Sequence, residues 1–159
     1  MRLRIAALLL LALAAPAHGG ERAPSTGQSV YLPIYAYVRY GDKDAKGAAK
    51  AEEVATMVSI RSTEPERELR LLSLRYYNGE GKMLREQLPQ PRVLRPLQAA
   101  EFFIERRDIE GGSGASAVLR WEADAPVNPP LVQSLHVEVK LNRALSFTTE
   151  GVVIERAPK

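Results

Sequence analysis

The sequence is poor in the side chains that carry most redox and metal chemistry. It contains no cysteine, which excludes disulfides, thiolate metal centres and thiol catalysis. Histidine occurs only twice, at His18 and His136, whereas a zinc site would usually need several such ligands. The polypeptide must therefore be held together by burial and hydrogen bonding, and the sequence predicts no metal, no cofactor and no catalytic residue.

The sequence also lacks an excess of charge of one sign once its first 19 residues are left out of the count. The whole chain has 22 Lys and Arg against 19 Asp and Glu, and Arg2 and Arg4 lie within those first 19 residues. Removing those two arginines leaves 20 cations against 19 anions. No basic run or basic helix remains, so the composition argues against a nucleic-acid partner despite the high isoelectric point.

The first residues have the layout of a secretory signal peptide. Arg2 and Arg4 precede an unbroken apolar run over 5–15, and small residues follow in APAHGG. This pattern predicts cleavage after Ala17 or Gly19. The apolar run is too short for a membrane span, which needs about 20 residues. We therefore expect a signal peptide over 1–19, a flexible leader over 20–28, and a periplasmic or secreted protein without a membrane anchor.

The remaining residues, 29–159, predict one all-β domain. Apolar and polar residues alternate in short segments separated by Gly, Pro and Asn, and no long helical period is present. An Asn-Gly pair at 78–79 marks a hairpin. The pattern favours an antiparallel β-sandwich, immunoglobulin-like, with seven to eight strands. The predicted strands are 29–40, 54–62, 69–77, 82–88, 100–106, 116–123, 131–142 and 145–155.

Several ordered blocks of the chain resemble a known family. They are GQSVYLPIYAYVRYGD, VSIRSTEPERELRLLSLRYYNGEGKMLR, GGSGASAVLRWEADAPVNPP and LSFTTEGVVI, which run from Gly27 to Ile154. In these blocks the sequence resembles a bacterial family of exported proteins known as domain-of-unknown-function family 3124. The resemblance implies a single exported domain and transfers no catalytic or binding residue.

A glycine-rich stretch is the strongest candidate for a site. Gly111, Gly112, Ser113 and Gly114 follow Asp108 and precede an apolar strand. The stretch lacks the lysine of a P-loop. It also lacks the following helix that the P-loop and the dinucleotide-binding fingerprint both require. One interpretation is a connection in which glycines allow positive φ and close backbone approach. The other is a ligand-gripping loop beside the acidic Asp108.

The first predicted strand offers a second candidate. Tyr31, Tyr35 and Tyr37 lie on the face opposite the aliphatic row that begins at Val30. The rings could simply cover the sheet through cross-strand pairs. Alternatively, they could form an exposed aromatic platform for a glycan or a protein partner, because tyrosine combines apolar area with a polar tip.

Two further features favour no site. Asp42, Asp44, Gly47 and Glu53 match positions of a calcium loop, but Lys46 stands where a ligand oxygen is expected. His136 alternates with Leu135 and Val137, which predicts a solvated surface histidine. Such a chain is most simply a non-catalytic binding or structural module with a protein or glycan partner in the cell envelope. The alternative is an envelope-polymer hydrolase using acids beside the glycine stretch.

Overall fold

The computed structural model describes residues 22–156, and these contain strands and no helix. The predicted signal peptide over 1–19 lies outside the described residues. The twelve strands are β1 (Ser25–Ile34), β2 (Tyr37–Tyr40), β3 (Lys50–Glu53), β4 (Ala55–Arg61), β5 (Leu69–Tyr77), β6 (Met83–Glu86), β7 (Arg92–Leu94), β8 (Ala99–Ile104), β9 (Ala115–Val127), β10 (Leu131–Lys140), β11 (Arg143–Glu150) and β12 (Val152–Arg156).

The strands form two antiparallel sheets and a ribbon. The first sheet has the order β12-β1-β9-β5-β6, with β7 also pairing with β5, and the second has the order β11-β10-β4-β8. The ribbon consists of β2 and β3. Every pairing is antiparallel. The all-β class and an open sandwich-like arrangement are thereby confirmed, whereas the expected seven to eight strands are not.

The core lies between the inner faces of the two sheets. Trp121 is 2% exposed and Leu119 is fully buried, as the alternation of β9 predicts. Each fully buried aliphatic side chain stabilises the fold by about 1.5–3 kcal/mol relative to an exposed one. On β1 the buried row is aliphatic, and it consists of Val30, Leu32, Ile34 and, just beyond the strand, Ala36.

The Asn-Gly hairpin forms as predicted between β5 and β6. Asn78 N–H donates to the Lys82 carbonyl at 3.0 Å, and its side-chain Oδ1 accepts from the N–H of Glu80 and of Lys82. Gly81 adopts a φ of 78°, a conformation that side chains with a Cβ rarely adopt. The turn sets the register that places Tyr76 opposite Arg85.

Two predicted strands are divided in the structure. The first begins earlier than expected, at Ser25 within the predicted leader, and is interrupted at residues 35–36 before β2. The last is divided at Gly151, where the chain leaves the second sheet for the first. A Cβ at Gly151 would lie 2.6 Å from Val30 Cγ1, so the crossing requires a residue without a side chain.

The segment 41–53 is charged and rich in alanine, which predicts a loop or a short helical excursion. Its end instead forms β3, which pairs with β2 from Tyr37 opposite Glu53 to Tyr40 opposite Lys50. Pro33 cannot donate a backbone hydrogen bond, which predicts an edge strand or a bulge at this position. It lies beyond Tyr31, where the pairing of β1 with β12 ends, and β9 is the strand that still pairs with β1 there.

Candidate functional site

The glycine stretch lies at one end of the sandwich and ties three connections together. The carbonyl of Gly112 accepts a hydrogen bond from Ala36 N–H at 3.0 Å, which fixes the junction between β1 and β2. The carbonyl of Gly111 accepts from Gly79 N–H at 3.2 Å, which fixes the β5–β6 turn. The N–H of Gly112 donates a hydrogen bond to the Ile109 carbonyl. We call this region the loop end.

Two of these glycines have a steric reason for being there. A Cβ at Gly111 would overlap the Tyr76 hydroxyl and approach Ala115 Cβ to 2.7 Å. Gly112 has a φ of 72°, in the left-handed region that favours glycine. Ser113 is half-buried and Gly114 is exposed, and Gly114 lies against Gly79. The structural role predicted for the stretch therefore has a physical basis at Gly111 and Gly112.

Beneath Gly111 lies a compact polar cluster. The Arg85 guanidinium sits 4.9 Å from the centroid of the Tyr76 ring and forms an ion pair with Asp108. Tyr76 is fully buried. Burial, reinforced by the Asp108 carboxylate, raises the pKa of Tyr76 to about 12, while Arg85 opposes the shift. The phenol therefore stays protonated and remains a hydrogen-bond donor at neutral pH.

Three buried polar atoms in this cluster have no hydrogen-bond partner among the described residues. They are Tyr76 Oη, Gln87 Nε2 and Asp108 Oδ1. Such atoms are uncommon, because leaving a buried donor or acceptor unpaired costs about 1–3 kcal/mol each. Their convergence around one ion pair distinguishes the loop end from the rest of the described chain.

A cleft of about 590 Å³ opens beside the cluster. Phe103 and Ile109 contribute apolar surface to it and are 65% and 50% exposed, respectively. Its other lining residues are polar: Arg85, Gln87, Glu105, Arg107, Asp108 and Glu110. This open surface therefore offers a ligand mainly polar groups, with apolar area at Phe103 and Ile109. We call it the Arg85–Asp108 cleft.

The acids of the cleft are largely engaged with arginines. Asp108, whose side chain is 16% exposed, is paired with Arg85, and Glu105 is paired with Arg107. Glu110 remains exposed at the edge. The pair of acids considered from sequence, Asp108 with Glu110, thus lies in one cleft, but Asp108 is already neutralised by a cation. This arrangement binds and orients more readily than it transfers protons.

A second groove, of about 430 Å³, crosses the outer face of the first sheet. Arg70 there is paired with Glu122 at 3.2 Å and with Asp124 at 3.4 Å. One buried atom without a partner, Trp121 Nε1, belongs to a residue that lines it. The Arg85–Asp108 cleft has more unpaired buried atoms, so it is the better candidate site.

Comparison with known proteins places the chain in a family. The family model described as "Protein of unknown function (DUF3124)" matches residues 27–154. The chain belongs to the DUF3124 family. This finding confirms the resemblance given by the sequence blocks.

No curated protein matches this DUF3124 member. A solved structure, the crystal structure of Thermotoga maritima 1070, is similar at 11% sequence identity and a TM-score of 0.45. The similarity covers 82% of this chain and 97% of that chain.

The three predicted tyrosines of this DUF3124 chain have different surroundings. Tyr31 is 37% exposed and lies between Val152 and Val118 of the neighbouring strands. Tyr35 and Tyr37 are half-buried. The structure therefore brings Tyr37 to the loop end, where its hydroxyl would lie 3.9 Å from a Cβ at Gly112. It does not assemble the three rings into one exposed platform.

His136 is fully buried, so the prediction of a solvated surface histidine is wrong. Its Nε2 accepts a hydrogen bond from Tyr35 N–H at 3.0 Å. Its ring stacks on Phe147 with centroids 4.5 Å apart, and Tyr35 packs edge-on at 5.7 Å. Burial lowers the pKa of His136 to about 4, although the Phe147 backbone partly opposes the shift. A neutral imidazole is therefore built into the fold.

His136 belongs to a polar seam that joins the second sheet to the end of β1. Ser134 Oγ and Thr149 Oγ1 both donate to the Pro33 carbonyl, at 3.4 and 2.6 Å. Thr56 Oγ1 donates to the Tyr35 carbonyl at 3.5 Å. These side chains supply hydrogen bonds to backbone carbonyls that lack a strand partner where β1 leaves its sheet. Their role is therefore structural.

The calcium-like segment shows a different use of its acids. Asp44 Oδ1 accepts from Lys46 N–H and Ala48 N–H, both at 2.9 Å, and so stabilises the loop between β2 and β3. Glu53 lies in β3. Among residues 22–156, no group of three or more His, Cys, Asp or Glu side chains could hold a metal ion. The same residues include no helix long and apolar enough to cross a membrane.

Sequence reasoning found Asp108 and the glycines but missed Tyr76, Arg85 and Gln87. The hairpin turn at Asn78 was a usable signal for the first two, because its register determines that Tyr76 faces Arg85. No local signal could have brought Gln87 and Asp108 together, since they are 21 residues apart, Gln87 in the β6–β7 connection and Asp108 in the β8–β9 connection.

Proposed function

We propose that this chain is an exported, non-catalytic binding module whose ligand occupies the Arg85–Asp108 cleft. The observation that carries the proposal is the set of three unpaired buried polar atoms around one ion pair. Two of these atoms, Gln87 Nε2 and Asp108 Oδ1, belong to residues that line the cleft, and a ligand that pairs with them would recover hydrogen bonds that the free protein lacks. Export, to the periplasm or beyond, is supported by the arginines and apolar run of residues 1–19.

The chemistry of the cleft favours a neutral polyhydroxylated ligand, such as an envelope glycan. Gln87 Nε2 offers a donor and Asp108 Oδ1 an acceptor, and a hydroxyl group can satisfy either. Phe103, 65% exposed, offers a ring face to the apolar side of a sugar. Arg85 and Asp108 neutralise each other, so the cleft has no strong demand for a charged ligand.

The hydrolase alternative is less well supported by the same geometry. A paired-acid mechanism needs one carboxyl that donates a proton and one that acts as base or nucleophile. Asp108 is held by Arg85 and Glu105 by Arg107. His136, the histidine within residues 22–156, is buried in the seam. The binding module is therefore the proposal, and turnover is an outcome that its test must detect.

We retain an immunoglobulin-like topology as the finer proposal for the fold. In that fold the second strand pairs with the fifth, and the third with the sixth, across a Greek key. Here β4 pairs with β8 and β5 with β9, alternating between the two sheets. These two pairings support the assignment. The last strands differ from that fold, because β10 pairs with β4 where the seventh strand of an immunoglobulin fold pairs with the sixth.

The proposal is tested by calorimetric titration of the purified protein with soluble peptidoglycan fragments. We expect saturable binding that falls at least about tenfold in Gln87→Ala, which removes the donor, and in Asp108→Asn, which removes the charge that pairs with Arg85, because each change costs roughly 1.5 kcal/mol. Gln90→Ala is the matched control, because Gln90 is exposed and lies outside the cleft. It should bind as the unmodified protein does.

Two results would contradict the proposal. Equal binding by all three variants would mean that the cleft is not the site. Shortened fragments in the mass spectrum, lost in Asp108→Asn, would instead support the hydrolase. Thermal unfolding of each variant checks that the fold is intact.

A further inference from the structure

Two hairpins lie side by side next to the loop end, and an ion-pair cluster joins them. Glu52 of β3 pairs with both Lys140 and Arg143 of the β10–β11 hairpin. A cavity of about 320 Å³ between the hairpins is lined mainly by apolar groups, including Val38, Tyr40 and Leu145. The β2–β3 ribbon and the β10–β11 hairpin therefore present their tips together.

We call residues 39–50 and 139–144 the tip surface. Every one of these residues except Ala49 is exposed. The surface carries two carboxylates, Asp42 and Asp44, and six cations. The six cations are Arg39, Lys43, Lys46, Lys50, Lys140 and Arg143.

The tip surface is the positive pole of the described chain. Its excess is four positive charges, whereas the rest of residues 22–156 has thirteen cations and sixteen anions, an excess of three negative charges. Within residues 22–156, Lys43, Lys46 and Lys50 form no ion pair with a carboxylate. The charge of these three lysines is therefore available to an anionic partner, whereas Lys140 and Arg143 are paired with Glu52.

Apolar side chains stand among these cations. Leu141 is as exposed as in an extended peptide, at 104%, and Val139 is 70% exposed. Tyr40, 44% exposed, lies on the neighbouring ribbon. Exposed apolar side chains beside cations are the combination by which proteins bind the surface of a membrane.

We infer that the tip surface docks on an anionic phospholipid bilayer. A bilayer of this kind is a partner that presents negative charge and an apolar phase a few ångströms apart. The lysines would lie among the headgroups while Leu141 enters the acyl boundary, with Tyr40 at the interfacial level where tyrosine is enriched. A soluble polyanion would satisfy the cations but would leave Leu141 in water.

The inference is independent of the ligand proposed for the Arg85–Asp108 cleft. It uses none of the cleft residues, and its test does not require a glycan. Docking through the tip surface would hold the cleft close to the membrane. A result that contradicts one of the two proposals leaves the other unaffected.

The first experiment measures sedimentation with vesicles. Protein recovered from producing cells, with its N-terminus determined by mass spectrometry, is mixed with vesicles of phosphatidylcholine alone or with phosphatidylglycerol added. We expect binding only to the anionic vesicles, and weaker binding as the salt concentration rises. The double variant Lys43→Gln, Lys46→Gln should bind roughly thirtyfold more weakly, because each lysine near such a surface contributes about 1 kcal/mol.

Variants at the opposite end of the sandwich serve as matched controls. Arg92→Gln with Arg95→Gln removes the same charge from exposed positions outside the tip surface and should change binding far less. Leu141→Ser should weaken binding roughly tenfold, since it removes apolar area that enters the bilayer. Leu97→Ser, at a position 70% exposed, should have no effect.

The second experiment locates the tip in the bilayer. Trp121 is buried in the core, so an added tryptophan at the surface can be distinguished by its response to brominated lipids. Leu141→Trp should be quenched by these lipids and Leu97→Trp should not. Equal quenching at both positions, equal binding to neutral vesicles, or indifference of binding to Leu141→Ser would each overturn the inference. Binding to a soluble polyanion but not to vesicles would do the same.

Discussion

β1 and β10 bury rows of opposite character. In β1 the inward row is aliphatic, and Leu32 and Ile34 are at most 1% exposed. In β10 the inward row is polar at its centre, where Ser134 and His136 are both fully buried, whereas Leu135 and Val137 face outward and are half-buried. Alternation alone thus does not decide which face of a strand enters the core.

The difference has a cause in the partner that each strand meets. β1 packs its inner row against the core residues of the second sheet and is itself bonded on both sides for part of its length. β10 faces the end of β1, where Pro33 and Tyr35 expose backbone groups that need partners. A buried backbone group without a hydrogen bond costs about 1–3 kcal/mol, more than the roughly 0.8 kcal/mol that one buried methylene group contributes, so polar side chains are favoured there.

The largest expected effect comes from shortening the aliphatic row. Leu32→Ala should lower the free energy of unfolding by about 3 kcal/mol, because Leu32 is fully buried and the cavity cannot collapse easily. Denaturant titration measures the change. If the loss were below about 1 kcal/mol, the aliphatic row of β1 would not be the central core row that the structure describes.

His136, in the polar row of β10, should make the free energy of unfolding depend on pH. Because the pKa of His136 is lowered from 6.5 to about 4, the unfolded chain binds a proton that the folded chain does not. Stability is therefore full above pH 6.5 and falls as the pH falls toward 4. The expected loss between pH 7.5 and 5.5 is about 1.4 kcal/mol.

His136→Gln provides the comparison for this measurement. The amide oxygen can still accept from Tyr35 N–H but cannot titrate. Denaturant titrations of the two proteins should therefore converge as the pH is lowered, since carboxylates contribute equally to both. If the free energies of unfolding of the two proteins changed in parallel with pH, the pKa of His136 would be the same in the folded and the unfolded chain.

The outward row of β10 should be the least sensitive. Val139→Thr is expected to change the free energy of unfolding by less than about 0.5 kcal/mol, because Val139 is 70% exposed. Thermal unfolding compared with the unmodified protein measures this. A loss comparable to that of Leu32→Ala would mean that another chain or segment covers this face in solution.

The sequence anticipated most strands because their period and turns are local properties. β5 has its predicted bounds, and the Asn-Gly turn joins it to β6 as expected. The short strands β3 and β7 were missed, since neither has an alternation long enough to recognise. The break after β1 was missed for another reason: residues 35–36 leave the strand to meet the glycine stretch and His136.

The candidate site was predictable only in part. Asp108 and the glycines were visible because a cluster of small residues beside an acid is a local pattern. Position 111 requires glycine because the Tyr76 hydroxyl lies where a Cβ would be, and only the tertiary structure shows this contact. Similarly, the positive pole of the chain is hidden in a nearly neutral composition, because its cations come from two separate hairpins.

By itself, the sequence determined an all-β chain with a defined hairpin, a cysteine-free core around Trp121, and membership in its family, because periodicity, turn residues and ordered sequence blocks are written along one dimension. The tertiary structure decided which row of β10 is buried, that Asp108 meets Arg85, and that two basic hairpins share one surface. These depend on the free energy of contacts between residues distant in sequence, and such contacts leave no local pattern.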